Sequence, residues 1–129
     1  MKTITHTNPN GKTVQVNVGE NVTIDKNVTI GENVTIGKHA NIGKHANIGE
    51  DSYIDEHVTI GEHATIGEHA TIGEHATIGE YVLIYENVTI GWNVTIDENA
   101  NIGWNVTIDE NAIIDENAII APCSTVGSK

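Results

Sequence analysis

From Val18 the chain places an apolar residue at every sixth position, through Ile24, Ile30, Ile36 and Ile42 to Ile120 and Val126, without an insertion. Each of the eighteen hexads is a variation on I-G-E-N-V-T. Val or Ala usually stands two positions before the Ile, with Thr between them, and this period-two alternation puts both apolar side chains on one face of a short strand. The Thr is left facing solvent. A helix is excluded, because apolar positions six apart fall about 240° from one another around a helix axis. The next three residues, such as Gly31-Glu32-Asn33, carry turn chemistry: Gly adopts positive φ freely, and Asn, Asp and His enter the left-handed region more readily than most residues. Each hexad therefore predicts one strand and one corner. So short a strand cannot bury its apolar face alone, so successive coils must stack.

This run resembles the hexapeptide-repeat family, whose chains wind three hexads per coil into a left-handed parallel β-helix of triangular section. The resemblance covers residues 16 to 126 and implies an all-β solenoid of about six coils of 18 residues. At about 4.8 Å per strand spacing such a prism is roughly 29 Å long. The number of hexads per coil and the hand come with the resemblance, not from the spacing. The predicted organisation is a capping β-hairpin over residues 1–17, a β-solenoid over 18–126 and a tail over 127–129.

The ends of a solenoid expose unpaired strand edges. Thr3-Ile4-Thr5-His6-Thr7 and Lys12-Thr13-Val14-Gln15-Val16 alternate and flank Asn8-Pro9-Asn10-Gly11, which predicts a hairpin lying over the first coil. At the other end Pro122 is only a partial edge blocker. Any self-association is expected to start there or at an apolar patch, and a monomer is the favoured state.

Composition narrows the partners. Six Lys and eighteen Asp plus Glu give a formal net charge of -12, the wrong sign for nucleic acid or an anionic membrane surface. Phe is absent and only five residues are aromatic, so the core must be Ile, Val and Ala. The single Cys123 excludes a disulfide framework and carries no neighbouring base to activate it. The start, MKTITHTNPN, lacks the apolar stretch of a signal peptide, and no run approaches a membrane span; a chain expressed in the cytoplasm is expected. The six N-x-T sequons, from Asn21 to Asn105, follow from the repeat itself.

With 18 residues per coil, chemistry appears in columns. His39, His57 and His75 share one corner, His45 and His63 a second, and His69 stands at the third. Stacked imidazoles suggest a transition-metal site, although His also simply fills the corner slot, so His39, His57 and His75 are weak metal candidates. Glu62, Glu80, Glu98 and Glu116 form one acidic ladder, and Glu32, Glu50, Glu68 and Glu86 another, read as solvated edges in preference to a calcium rail. Thr35, Thr71, Thr89, Thr107 and Thr125 form a rank interrupted by Tyr53, a partial match to a surface that binds ice. Departures from the repeat mark interface candidates: Tyr81, Leu83, Tyr85, Trp104 and Ile119. Trp92 and Ile113 point elsewhere.

The family resemblance implies trimeric acyltransferases using acyl-coenzyme A or acyl-carrier donors, with sites at subunit interfaces, and a branch of zinc carbonic anhydrases. No catalytic His or zinc ligand carries over, because six of the His occupy equivalent slots. The unbroken hexads, three consecutive IGEHAT units from Ile60 to Thr77 and the doubled GWNVTIDENA favour an engineered or consensus-like structural scaffold. The expectation is no enzymatic activity, no catalytic residues, no cofactor and no small-molecule substrate. An acyltransferase-like protein lacking its loops, and an ice- or surface-binding β-helix, are the alternatives.

Overall fold

The computed structural model describes residues 1–127. The tail expected at 127–129 therefore lies, beyond Gly127, outside the described residues. Two long strands, β1 (Lys2–Thr7) and β2 (Thr13–Val18), are followed by two-residue strands every six residues, from Thr23–Ile24 to Thr125–Val126. Among the described residues there is no helix, and hence none long and apolar enough to cross a membrane.

The strands form three sheets, one per side of the prism. The hairpin face holds β1, β2 and the strands from Thr35–Ile36 to Thr125–Val126. A second face runs from Thr23–Ile24 to Ile113–Ile114, and a third from Thr29–Ile30 to Ile119–Ile120. Apart from β1 against β2, every pairing is parallel and joins residues eighteen apart, as in Thr71 with Thr89 and Ile72 with Ile90. The result is a parallel β-solenoid of about six coils, consistent with the left-handed β-helix that the family resemblance implies.

Backbone hydrogen bonds tie each coil to the next. Thr59 N–H donates upward to Ala76 C=O at 3.1 Å and Gly61 N–H to Ile78 C=O at 2.7 Å, whereas the corner His57 N–H donates downward to Lys38 C=O at 3.0 Å. Between the sheets lies one apolar cluster running from Val16 to Ile114. Ile fills the inward position of nearly every strand and is almost completely buried. Ser52 and Ser124 stand in the Val/Ala slot; Ser52 is buried and its hydroxyl donates to Gly67 C=O at 3.0 Å.

One expectation about the corners needs correcting. The left-handed residue stands two positions after the Gly slot in all eighteen corners, with φ between 57° and 65°; it is Asn or His except at Asp51, Tyr81 and Cys123. The Gly itself is not left-handed. What Gly relieves is crowding: a Cβ on Gly61 would stand 2.7 Å from the backbone nitrogen of Glu80 in the coil above, so that the backbone would have to shift. Asp tolerates the same slot at Asp25 and Asp55, where a carboxylate oxygen accepts the N–H of Lys26 or Glu56 at 2.8 Å.

The hairpin forms around Asn8-Pro9-Asn10-Gly11, with Gly11 N–H donating to Asn8 C=O at 2.8 Å and Gly11 at φ 91°. It covers two faces and not three. On the hairpin face β1 pairs with β2, and on the third face His6 and Asn8 engage the backbone of Val28 and Ile30. The second face is left with an open groove of about 720 Å³ between Met1, Lys2, Ile4, Val22 and Ile24. Two arms and one turn are too short to wrap three sides.

Candidate functional site

Every side chain that could carry chemistry sits at a corner or in the outward rank of a face, because the inward positions are filled by the core. The first corner, between the hairpin and second faces, carries His39, His57 and His75. Their rings stack with centroids 4.9 and 4.8 Å apart and planes inclined by 19° and 6°. This follows from the backbone: each ring leaves a left-handed corner of identical φ, and coils repeat at the strand spacing.

Such stacking bears on metal binding. Two nitrogens each about 2.0–2.1 Å from a zinc ion can be no more than about 4.2 Å apart, less than the ring spacing. Parallel rings also aim their in-plane lone pairs side by side instead of at one point. Among the described residues no group of three or more His, Cys, Asp or Glu is placed to hold a metal ion.

At the second corner His45 stacks on His63 at 4.8 Å, and His63 on Tyr81 at 4.7 Å. Tyr81 thus stands apart from the other interface candidates. Leu83 and Ile119 share the outward rank of the third face with Asn101 between them, and Tyr85 packs at a tilt on Trp104, 6.1 Å between centroids. His69, at the third corner, lies 3.7 Å from an Asp51 carboxylate oxygen. Trp92 and Ile113 are exposed, Trp92 in the column that carries Glu56 and Glu74, Ile113 next to Thr95 on the second face. Thr71, Thr89, Thr107 and Thr125 are in register on the hairpin face, below which Tyr53 separates Thr71 from Thr35. Tyr53 titrates above the usual tyrosine range, chiefly because the Asp55 carboxylate repels its phenolate, with burial, Glu56 and Glu74 adding to the effect.

The second corner also holds what the sequence reading missed. Stepping back by eighteen from Glu62 reaches Lys44 and then Lys26, so the ladder reads Lys26, Lys44, Glu62, Glu80, Glu98, Glu116. Its acidic end walls a shallow trough of about 420 Å³ lined by Thr77, Gly79, Glu80, Asp97, Glu98 and Glu116. The signal lies in the eighteen-residue step, which carries both signs of charge along this corner.

A family model described as bacterial transferase hexapeptide (six repeats) matches residues 15–50, 39–73 and 69–103. These spans cover well over half of the chain, which belongs to the bacterial transferase hexapeptide family. No curated protein matches the sequence. Among solved structures, the acetyltransferase domain of PglB from Neisseria gonorrhoeae, in complex with acetyl coenzyme A, is similar with a TM-score of 0.67 at 19% identity, covering 87% of this chain and 48% of that one. A hexapeptide-repeat acetyltransferase from Vibrio cholerae, complexed with acetyl coenzyme A, gives 0.59 at 20%, covering 71% and 64%. UDP-N-acetylglucosamine acyltransferase from Campylobacter jejuni gives 0.58 at 19%, covering 87% and 58%. The chain spans about half to two thirds of the length of these structures, and at such identity the likeness is one of fold.

Family membership corrects the expectation of a chain outside enzymology. That expectation rested on unbroken hexads and flat faces, but hexad regularity reports how coils pack and is shared by a family of transferases. A loop-free face in one protomer says nothing about a site assembled from more than one.

Proposed function

We propose that this chain is the β-helical platform of an acyltransferase, which moves an acyl group from a thioester donor such as acetyl coenzyme A to a hydroxyl or amine acceptor. The match of the transferase family model over residues 15–103 is the observation that carries this reading. The chemistry needs a base near neutral pH, and imidazole is the side chain suited to it. The first corner supplies three such rings, those of His39, His57 and His75, in one accessible column.

In the proposed reaction an imidazole nitrogen takes the proton of the acceptor as its oxygen or nitrogen attacks the thioester carbonyl. The C–S bond of the tetrahedral intermediate then breaks, and the departing thiolate takes up the proton from the imidazolium. Nothing else is consumed. Along this corner a single protomer offers a ridge and no cleft, whereas a long thioester donor needs a concave site, so the reading places donor and acceptor in a groove between copies.

Titration calorimetry with acetyl coenzyme A tests this directly. The reading expects saturable binding by the native chain and a weaker heat from the His39→Asn, His57→Asn, His75→Asn triple variant if the column lines the groove. Asn keeps the left-handed corner, as at Asn21 and Asn93, so the fold is retained. Absence of any saturable binding in the native chain would overturn the proposal.

A further inference from the structure

Each coil above the first finds its downward backbone partners in the coil beneath, so the first coil has to find them elsewhere. Two of its three edges do. On the hairpin face β1 pairs with β2 along its whole length. On the third face Asn8 takes both the N–H and the C=O of Ile30, and His6 Nε2 meets the C=O of Val28. Six residues earlier, on the second face, the same positions are the C=O of Val22 and the N–H and C=O of Ile24. The strand Thr23–Ile24 is the last of its sheet. Its Thr23 N–H is committed upward to Ala40 C=O at 3.0 Å, and among the described residues nothing pairs with the edge it turns downward.

We infer that this edge is a docking site for an extended, acidic segment of another protein, which adds to the second face as one more strand beneath Thr23–Ile24. Three observations define that chemistry. First, the free groups match a strand. A segment running antiparallel, as β1 runs under β2, exchanges both backbone bonds with Ile24 and donates a third to Val22 C=O, since alternate residues of a strand present N–H and C=O to the same edge. Open sheet edges recruit peptides in this way. Asn8 does the same for one residue of the third face with a side-chain amide.

Second, the groove of about 720 Å³ beneath the edge has apolar walls in Ile4, Val18, Val22 and Ile24. The inward side chains of the guest, every second one, are therefore apolar, and those between them face solvent. Third, this is the cationic end of the rod. Residues 1–45 hold five Lys and three acidic residues, whereas residues 46–129 hold one Lys and fifteen. Lys2 lines the groove at one end, and Lys26 follows the strand at the other, where the Asp25 carboxylate is turned onto the Lys26 N–H. An acidic guest is drawn to this end and repelled along the rest of the chain. The site lies across the end of the prism, so a groove formed between copies side by side along a corner leaves it open. It stands or falls separately from acyl transfer.

Fluorescence anisotropy on the full chain with a labelled peptide, Glu-Val-Thr-Ile-Thr-Val-Glu, tests the docking. Its three apolar side chains share one side of a strand, and the native chain binds it saturably. The same peptide N-methylated at its central Ile lacks the N–H that meets the edge and binds at least about tenfold more weakly, the loss expected when a buried acceptor goes unpaired. A version flanked by Lys instead of Glu also binds more weakly, and Lys2→Glu, at an exposed side chain, reduces that preference. Amide hydrogen exchange locates the strand: the Glu-flanked peptide slows exchange of the Ile24 N–H at least about tenfold and leaves the Ile30 N–H, already held by Asn8, as it was. The inference is overturned by an absence of saturable binding, by unchanged exchange at Ile24, or by a preference for the Lys-flanked peptide or one indifferent to Lys2→Glu. Equal binding of the N-methylated peptide overturns it too, because the groove then takes apolar side chains without strand pairing. So does protection of Ile24 that grows with protein concentration in the absence of peptide, because the occupant is then a second copy.

Discussion

The side-chain amide of Asn8 meets the backbone of Ile30 on both sides: its Oδ1 accepts from Ile30 N–H at 2.8 Å and its Nδ2 donates to Ile30 C=O at 3.1 Å. Asn8 thereby occupies the place of a missing strand at the edge of the third face, while His6 Nε2 lies 2.8 Å from Val28 C=O. Because Asn8 is 8% exposed, its removal leaves two backbone groups short of partners with little access to water. Asn8→Ala is expected to cost about 1–3 kcal/mol, measured by urea denaturation, with Asn8→Asp recovering only the contact to the Ile30 N–H.

Gly61 and Gly127 separate crowding from conformational freedom. Neither has positive φ, yet a Cβ meets the Glu80 backbone at 2.7 Å in the first case and nothing within 4 Å in the second. Gly61→Ala should destabilise by about 1–3 kcal/mol while Gly127→Ala leaves the denaturation midpoint unchanged. Equal effects would refute the crowding account.

Tyr81 holds a left-handed backbone with φ 61°, which costs a side chain without a local hydrogen bond about 1–2 kcal/mol. Its exposed stack on His63 returns about 0.5 kcal/mol, at the low end for aromatic pairs. Strain wins, so Tyr81→Asn should raise the thermal midpoint.

Much of this fold was legible beforehand because one side-chain choice is repeated at each of six positions. Ile24, Ile42 and Ile60 mark the core step, and Asn27 and His45 mark the corner. The hairpin was legible from Asn8-Pro9-Asn10-Gly11, but its failure to cover the second face was not, since that depends on how far two arms reach around a prism. The candidate site was less readable. Tyr81, Leu83 and Tyr85 fall within five residues and still face different ways, because Tyr81 stands at the second corner, Leu83 on the third face and Tyr85 at the start of the third corner. Whether such a chain is an enzyme is not legible from hexad regularity, because regular hexads report how coils pack and are shared by a family of transferases.

Tyr53 gives a pH prediction. A phenol that titrates above its usual range when folded binds its proton more tightly in the native state than in the unfolded one. The stability it contributes is thus complete below about pH 10, the unfolded tyrosine value, and is lost as the pH rises through the folded value. An ultraviolet titration should show a tyrosine ionising above the usual tyrosine range. Asp55→Asn should bring it back toward the ordinary range, since the Asp55 charge is the largest cause.

Acyl transfer is tested most directly by the appearance of free thiol when acetyl coenzyme A is incubated with the full chain and an amine or hydroxyl acceptor. The account predicts thiol release above the protein-free rate, dependent on acceptor, and abolished in the chain with His39, His57 and His75 all replaced by Asn. Release no faster than the protein-free rate across amine and hydroxyl acceptors, from a chain shown to be folded, would contradict it.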